Sequence, residues 1–335
     1  MPHFDNIYCH GIVRTAVCIP RVHVGDPAKN AVEIIALAQE ASEKHCAVAA
    51  FPELCISSYA IDDLFHQDAL LDGCLDALEE ILRASESLFP VLIVGCPLRV
   101  DMRLYNVAIT VHRGRILGVQ PKSYLPSYRE FYEKRYFAPG TEIISPVIEL
   151  GSHKNVPFGC DLLYCCEDFP DLVLFTEICE DLWAPLSPST LGCLAGASVI
   201  VNLSASNITV GKGSIRRNLC AAQSEKCMCA YIYTAAGDGE STSDLAWDGY
   251  ALVYDRGQLV ASTESFAPTP SLLEADIDVG RISHERMQIG TFGDARRSYH
   301  PAFKSFRRIQ WSLAPELNRA LPPTHPVPMH PFVPS

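Results

Sequence analysis

The stretch DPAKNAVEIIALAQEASEKHCAVAAFPE, from Asp26 to Glu53, reads as a capped helix followed by a short buried strand. Asp26 ahead of Pro27 reads as an N-cap followed by proline at the first helical position, where the missing N–H costs nothing. Behind it Ile34, Leu37, Ala38, Ala41 and His45 recur at helical spacing. Ala47 to Phe51 is then a brief buried-strand candidate, and it ends at Pro52-Glu53. That strand delivers a reactive side chain at its end, and the chain shows no internal repeat.

Outward from there, a second helix is expected over 69–85, Ala69 to Ser85, and another buried strand over Val91 to Val94. Asn106 to Val111 and Ile116 to Gln120 flank a His-Arg-Gly-Arg turn and read as a hairpin whose second arm ends at Pro121-Lys122. Leu172 to Thr176 is a strand running into Glu177-Ile178-Cys179-Glu180-Asp181. Ser198 to Leu203 is strand-like, Ile215 to Met228 helical, and Tyr231 to Thr234 strand-like again. Tyr250 to Tyr254 and Gln258 to Ser262 bracket an Asp-Arg-Gly turn, a second hairpin. Strands separated by helices mean α/β, and the hairpins mean that the sheets are mixed. Helices on the outer faces of two packed sheets satisfy both signals. From Pro315 to Ser335 there are seven prolines in 21 residues, a composition that predicts an extended linker with a further part of the protein downstream.

With 48% hydrophobic and 20% charged residues among 335, the chain has material for a substantial core. A net charge of −12 argues against nucleic-acid or anionic-membrane partners, which favour basic patches. The first twenty residues lack the basic start and apolar run of a secretory signal, and no apolar run approaches the ~18 residues of a membrane span. A reducing, cytoplasmic setting is therefore expected, with most of the 14 cysteines free and buried. Structural zinc is disfavoured because there is no C-x-x-C pair, only adjacent Cys165 and Cys166 and the C-x-C of Cys227 and Cys229.

Three segments share one layout, an apolar strand delivering a reactive side chain at its C-terminal end: Phe51-Pro52-Glu53-Leu54, Pro121-Lys122-Ser123-Tyr124 and Glu177-Ile178-Cys179-Glu180-Asp181. In α/β proteins sites are built at that edge. Taken singly, each residue has an ordinary explanation: a glutamate after Phe-Pro is more often a capping or solvated residue, a lone lysine usually lies at the surface, and a buried cysteine is usually inert. Together, a carboxylate, an amine and a thiol make an amide-cleaving set: the thiol attacks, the carboxylate takes its proton, the ammonium stabilises the oxyanion.

Phe-Pro-Glu-Leu, Pro-Lys-Ser-Tyr-Leu-Pro and Glu-Ile-Cys-Glu-Asp-Leu-Trp resemble the Glu, Lys and Cys motifs of the nitrilase superfamily. More narrowly, they resemble those of the glutamine-hydrolysing domain of the NAD⁺ synthetase family. Tyr128 to Phe137, Asn202 to Lys212 and Ser241 to Gly249 extend the likeness, which runs from about residue 10 to residue 310. The resemblance implies a nitrilase-type α-β-β-α sandwich, a carbon–nitrogen hydrolase domain over 10–290, and a C-terminal extension with a Pro-rich linker over 291–335. It implies Cys179 as the nucleophile that forms a γ-glutamyl thioester, Glu53 as general base, and Lys122 with the Glu180 N–H as oxyanion donors. Glu133 matches the extra glutamate that accompanies the triad, and Tyr128, Ser206 and Lys212 match glutamine-holding positions. From charge alone, Lys212 suits an α-carboxylate and Glu180 an α-ammonium. Glutamine would be the substrate, and a synthetase domain or subunit the acceptor of ammonia. ATP and magnesium would belong to that other part, because this sequence contains no Ser-Gly-Gly-x-x-Ser loop and itself calls for no cofactor. Homo-oligomers are common in the superfamily and are implied here too.

Two rival readings stand beside it: a free-standing amidase acting on another small amide, and a non-catalytic relic that serves as a binding module. Preference for glutamine over ω-amides lacking an α-ammonium separates the first, and failure to form any thioester would favour the second. Two further motifs are decoys. Gly211-Lys212-Gly213-Ser214 lacks the glycine at 206 and the Ser or Thr at 213 that a phosphate loop needs. Gly237-Asp238-Gly239 is a fragment of a dinucleotide fingerprint, and the acidic Asp238 and Glu240 would repel a pyrophosphate.

Cys179 lies between Glu177 and Glu180-Asp181, and nearby negative charge raises a thiol pKa. A general base that takes the proton during attack avoids the need for a standing thiolate. Glu53→Gln is therefore expected to slow acylation by at least ~10²-fold; an unchanged burst of ammonia from the variant would refute this.

Overall fold

A computed structural model describes residues 1–324. The chain runs β1 (Ile12–Ile19), α1 (Pro27–Glu43), β2 (Val48–Ala50), α2 (Asp68–Ser85), β3 (Val91–Val100), β4 (Arg103–His112) and β5 (Arg115–Pro121). It continues through α3 (Glu133–Tyr136), β6 (Val147–Leu150), β7 (His153–Pro157), β8 (Leu162–Cys166), β9 (Val173–Ile178), α4 (Pro188–Ala195) and β10 (Val199–Ser204). The last third holds α5 (Lys212–Lys226), β11 (Ala230–Ala235), β12 (Ala251–Asp255), β13 (Gln258–Ser262), β14 (Ser271–Asp278), α6 (Val279–Gln288), α7 (Gly290–Phe303) and β15 (Arg307–Trp311).

Two large sheets form, in the orders β14-β1-β2-β3-β4-β5 and β13-β12-β11-β10-β9-β8-β15, beside a small antiparallel pair, β6-β7. Both are mixed: β1, β2 and β3 are parallel and β3, β4 and β5 antiparallel, while β9, β10 and β11 are parallel and β11, β12 and β13 antiparallel. The strands explain their own burial. In β2, Val48 and Ala50 face the space between the sheets while Ala49 faces the helices, so a strand covered on both sides has no polar position. Val13, Val17, Ile93, Leu174, Val201 and Ile232 fill the layer between the sheets. Ile34, Leu37, Ala41, Leu78 and Ile81 of α1 and α2 cover the first sheet, and Leu194, Cys220 and Phe303 of α4, α5 and α7 cover the second. The result is the four-layer α-β-β-α sandwich that the sequence implied.

Local chemistry sets the ends. The Asp26 side chain accepts the Lys29 N–H at 3.2 Å and caps α1. β3 is longer than the apolar run Val91 to Val94, because beyond Ile93 only β4 lies beside it and Pro97 interrupts no ladder to β2. The space that β2 vacates is taken by the Glu53 segment. Ile56 N donates to Gly95 O at 3.2 Å, and a Cβ on Gly95 would lie 2.3 Å from Leu54 N and 2.6 Å from Pro52 O. Glycine at 95 is what lets the Glu53 turn cross the strand.

The C-terminal region departs from expectation. The expected division at residue 290 is no break in packing: α7 lies on α4, and β15 adds a parallel strand beside β8. Nor are residues 315–324 a loose linker. Leu313 and Leu321 are buried, and Asn6 Nδ2 donates to Glu316 O at 3.0 Å and Arg319 O at 2.9 Å. The segment accepts on its carbonyls and also donates, from Leu321 N to Asp5 O at 3.0 Å and from Thr324 N to Asp276 Oδ2 at 2.6 Å, while Leu321 packs into the core. The rest of the proline-rich stretch, 325–335, lies outside the described residues. All fourteen cysteines are free, twelve of them buried.

Gly95→Ala is expected to destabilise the protein by about 1–3 kcal/mol, the usual cost of overpacking, because the added methyl meets backbone that has nowhere to move. Urea unfolding would measure that loss, and a parallel drop in amidase rate would report displacement of Glu53.

Candidate active site

Each reactive residue stands just past a strand: Glu53 beyond β2, Lys122 immediately after β5, Cys179 immediately after β9. β5 runs parallel to β2, since two antiparallel steps separate β3 from β5, so both end at the same edge of the first sheet. Glu53 and Lys122 are fully buried, and Cys179 is 6% exposed. Lys122 Nζ donates to Glu53 Oε1 and to Glu133 Oε1, each at 2.6 Å. Asn106 Nδ2 donates to Glu53 Oε1 at 2.7 Å, and the Ala205 N–H donates to Glu53 Oε2 at 2.8 Å. The carboxylate is thus held by both sheets.

Burial alone would depress the Lys122 ammonium, but the Glu133 and Glu53 carboxylates override it and hold the pKa well above its ordinary value. Lys122 is therefore a fixed cation. Burial pushes Glu133 up to about 7 against the pull of Lys122, with Glu53 adding to the rise. Glu133 Oε1 takes the Lys122 ammonium and the Tyr59 hydroxyl at 2.7 Å, while Oε2 is buried without a partner.

Cys179 opens a single 3-10 turn, Cys179–Trp183, with φ of 44°, the left-handed region that a β-carbon resists. Burial raises its thiol pKa far above the ordinary value and Glu53 raises it further, while Lys122 opposes. The direction matches the expectation from sequence, but the cause differs. The acidic neighbours Glu177 and Asp181 both turn away from the sulfur. Glu177 accepts from Ser187 Oγ at 2.7 Å and Ser189 N at 2.9 Å. Asp181 accepts from Ile178 N at 3.0 Å, Ser123 N at 3.1 Å and Tyr124 N at 2.9 Å, tying the cysteine turn to the lysine loop.

Above Cys179 lies a cavity of about 400 Å³ lined in part by Tyr128, Glu180, Trp183, Ser206 and Lys212. All four residues expected to hold substrate therefore meet there. The Tyr128 hydroxyl donates to Glu180 Oε1 at 2.8 Å. Lys212 donates to Asn207 Oδ1 and stands over the rings of Phe131 and Trp183, 5.3 and 5.6 Å from their centroids. Arg216, buried against Asp248, donates to Ser206 O at 3.3 Å and fixes that side of the cavity. A larger groove of about 910 Å³ touches Glu180 at one end but reaches neither Glu53 nor Cys179. The smaller cavity is the candidate site because it contains the thiol.

The sequence reading missed Asn106, Asp181, Tyr59 and Arg216. Asn106 had a signal, an amide inside an otherwise apolar strand, where a buried polar group must find a partner. Asp181 was read only as a charge near the thiol. Tyr59 and Arg216 carry no local mark. Among the described residues no three His, Cys, Asp or Glu side chains cluster as metal ligands would, and no helix is long and apolar enough to cross a membrane.

The family model for carbon–nitrogen hydrolases matches residues 14–286. The chain belongs to the carbon–nitrogen hydrolase family. It is 46% identical over 313 residues to the glutamine-dependent NAD(+) synthetase of Mycobacterium tuberculosis, a match covering 93% of this chain and 46% of that protein. The chain spans about half the length of the curated relatives it matches. Among solved structures, it is similar to a glutamine-dependent NAD(+) synthetase from Cytophaga hutchinsonii, with TM-score 0.71, 26% identity, and coverage of 79% of this chain and 43% of that one. The fold is shared with an amidase of the nitrilase superfamily from Nesterenkonia, with TM-score 0.63, 20% identity, and coverage of 87% and 98%. Within the hydrolase family, then, this chain stands nearer in sequence to these two synthetases than to that amidase.

The raised pKa of Glu133 makes a stability prediction. A carboxyl whose folded pKa exceeds its unfolded one favours the fold fully below about 4.5 and loses that contribution as pH climbs through about 7. Between those values and pH 8 the wild type should lose up to about 3 kcal/mol more unfolding free energy than Glu133→Gln. Urea melts of both proteins at pH 4.5 and pH 8 check the difference, and equal pH slopes would contradict it.

Proposed function

We propose that this chain hydrolyses glutamine to glutamate and ammonia through a Cys179 thioester, and that the ammonia serves an ATP-dependent synthetase domain or subunit that amidates deamido-NAD⁺. The observation that carries the reading is the buried Glu53–Lys122–Glu133 cluster placed beneath a cavity whose floor is Cys179 and whose walls offer Glu180 and Lys212.

The steps follow from charge and position. The Cys179 sulfur attacks the side-chain carboxamide carbon while its proton passes to Glu53, whose carboxylate is held by Asn106, Ala205 and Lys122. Because burial keeps the thiol protonated, transfer to a base during attack is the efficient route. The oxyanion is stabilised by Lys122 and by the Glu180 N–H, one of the leading amides of a helical turn that have no partner within the turn. Glu53 returns the proton to the leaving nitrogen, and ammonia departs as the thioester forms. It then takes a proton from water, which attacks the thioester carbon. Collapse of that adduct breaks the carbon–sulfur bond, returns the proton to sulfur and releases glutamate. At the cavity wall Glu180, positioned by the Tyr128 hydroxyl, pairs with the substrate α-ammonium and Lys212 with its α-carboxylate. Ser206 supplies a further polar contact. ATP and magnesium belong to the synthetase part, and this domain works within a homo-oligomer.

The test is ammonia release from glutamine by wild type and Cys179→Ala, with and without a separately supplied synthetase domain. A wild-type rate that is abolished in the variant and rises when the partner is added supports the reading. Equal rates on ω-amides lacking an α-ammonium would favour the free-standing amidase instead, and no release by the wild type under any condition would overturn both.

A further inference from the structure

The Gly237-Asp238-Gly239-Glu240 segment, which cannot hold a phosphate, has a place in the site. Val22 N donates to Asp238 O at 3.0 Å, and Gly239 adopts φ of 95° where a Cβ would lie 2.0 Å from Val22 O. Only glycine fits that crossing, and the crossing carries the next side chain inward. Glu240 is 6% exposed, and its oxygens accept the Tyr59 N–H at 2.9 and 3.2 Å and the Ala60 N–H at 3.4 Å. Among the described residues those two amides are its only hydrogen-bond partners, so a carboxylate is buried there with no cation to offset its desolvation. The same loop grips the tyrosine at its ring. Trp247 packs edge-on against Tyr59 with centroids 5.6 Å apart, and is itself fixed by donating Nε1–H to Ser241 O at 2.7 Å. Held at backbone and ring, Tyr59 has one direction left for its hydroxyl, and that is Glu133 Oε1 at 2.7 Å. Lys122 donates to the same oxygen, which leaves Glu133 Oε2 bare.

We propose that Glu240 is a positioning residue of the amidase site: it fixes Tyr59 so that the tyrosine hydroxyl turns one chosen oxygen of Glu133 toward Lys122. The inference rests on the amidase reading of Cys179 and extends it to a loop that touches neither Cys179 nor the cavity above it. Its consequence is a coupling between residues separated by 181 positions in the chain. Glu240 acts on the reaction only through the Tyr59 hydroxyl.

A double-mutant cycle tests this. Glu240→Ala and Tyr59→Phe should each slow single-turnover acylation by glutamine roughly tenfold, and the double variant should be no slower than the worse single one by more than about twofold. KM for glutamine should stay within about twofold, since neither residue lines the cavity. A Glu240→Ala rate equal to wild type, or penalties that multiply in the double variant, would overturn the proposal; a role confined to stability gives that multiplication. If Glu240→Ala does not fold, Glu240→Gln, which keeps one acceptor oxygen for the Tyr59 amide, carries the same cycle with a smaller loss. If the wild type releases no ammonia from glutamine, that outcome falls on the glutaminase reading alone. The coupling is then decided by the rate of Cys179 alkylation by iodoacetamide, with Cys179→Ser as the blank. Either single substitution should change that rate, and the second should add nothing; independent effects would sink the coupling.

Discussion

A lysine with no access to water sits between two carboxylates, and much of this structure exists to make that tolerable. Taking an ammonium and two carboxylates out of solvent costs several kcal/mol per ion, and their attraction repays it only when the geometry is good and the spare oxygens are satisfied. Lys122 meets both glutamates at 2.6 Å, and Glu53 receives a side-chain amide from β4 and a backbone N–H from the loop after β10. Those donors come from different sheets. The cluster is therefore a constraint on how the two halves of the sandwich meet, and loss of Lys122 would leave its carboxylates buried without a cation.

Cys179 is placed with the same economy of freedom. A left-handed Cys179 costs of order 1–3 kcal/mol, and the turn keeps it because Asp181 fastens the backbone on both sides of the site. One carboxylate that accepts Ser123, Tyr124 and Ile178 amides locks the lysine loop and the cysteine turn into one rigid unit. Glu177, on the strand that leads into the turn, anchors the chain beyond it through Ser187 and Ser189. Of the acidic residues around the thiol in sequence, Glu180 lines the cavity and Glu177 and Asp181 do not.

Burial also decides which acid–base chemistry is open to the site. Burial and the Glu53 carboxylate keep the proton on the sulfur against the pull of Lys122, which is itself too firmly paired to act as anything but a permanent positive charge. Glu53, fully buried and held by three donors, raises that thiol's pKa further. The neighbouring Glu133 has a pKa near neutrality and one bare oxygen, which makes its orientation the adjustable part of the cluster.

By itself the sequence determined the layers and the chemistry. An N-cap and proline fixed the start of α1, unbroken apolar runs marked strands covered on two sides, Gly-containing turns marked the hairpins, and three strand ends carried Glu53, Lys122 and Cys179. These are local signals, set by periodicity and backbone preference within about ten residues. Tertiary structure alone decided the rest. β1 pairs with β14 through partners such as Arg14 and Asp276, β15 joins β8, and Leu321 returns to the core, all across separations that no local pattern encodes. The same holds for Asp181, which reads as a charge near a thiol until its three amide donors are seen, and for Glu240, which reads only as an acid that would repel a pyrophosphate until Gly239 turns it inward. A side chain's type is written in the sequence, but its partner and its burial are properties of the packed chain, and those two quantities set its charge, its orientation and its role.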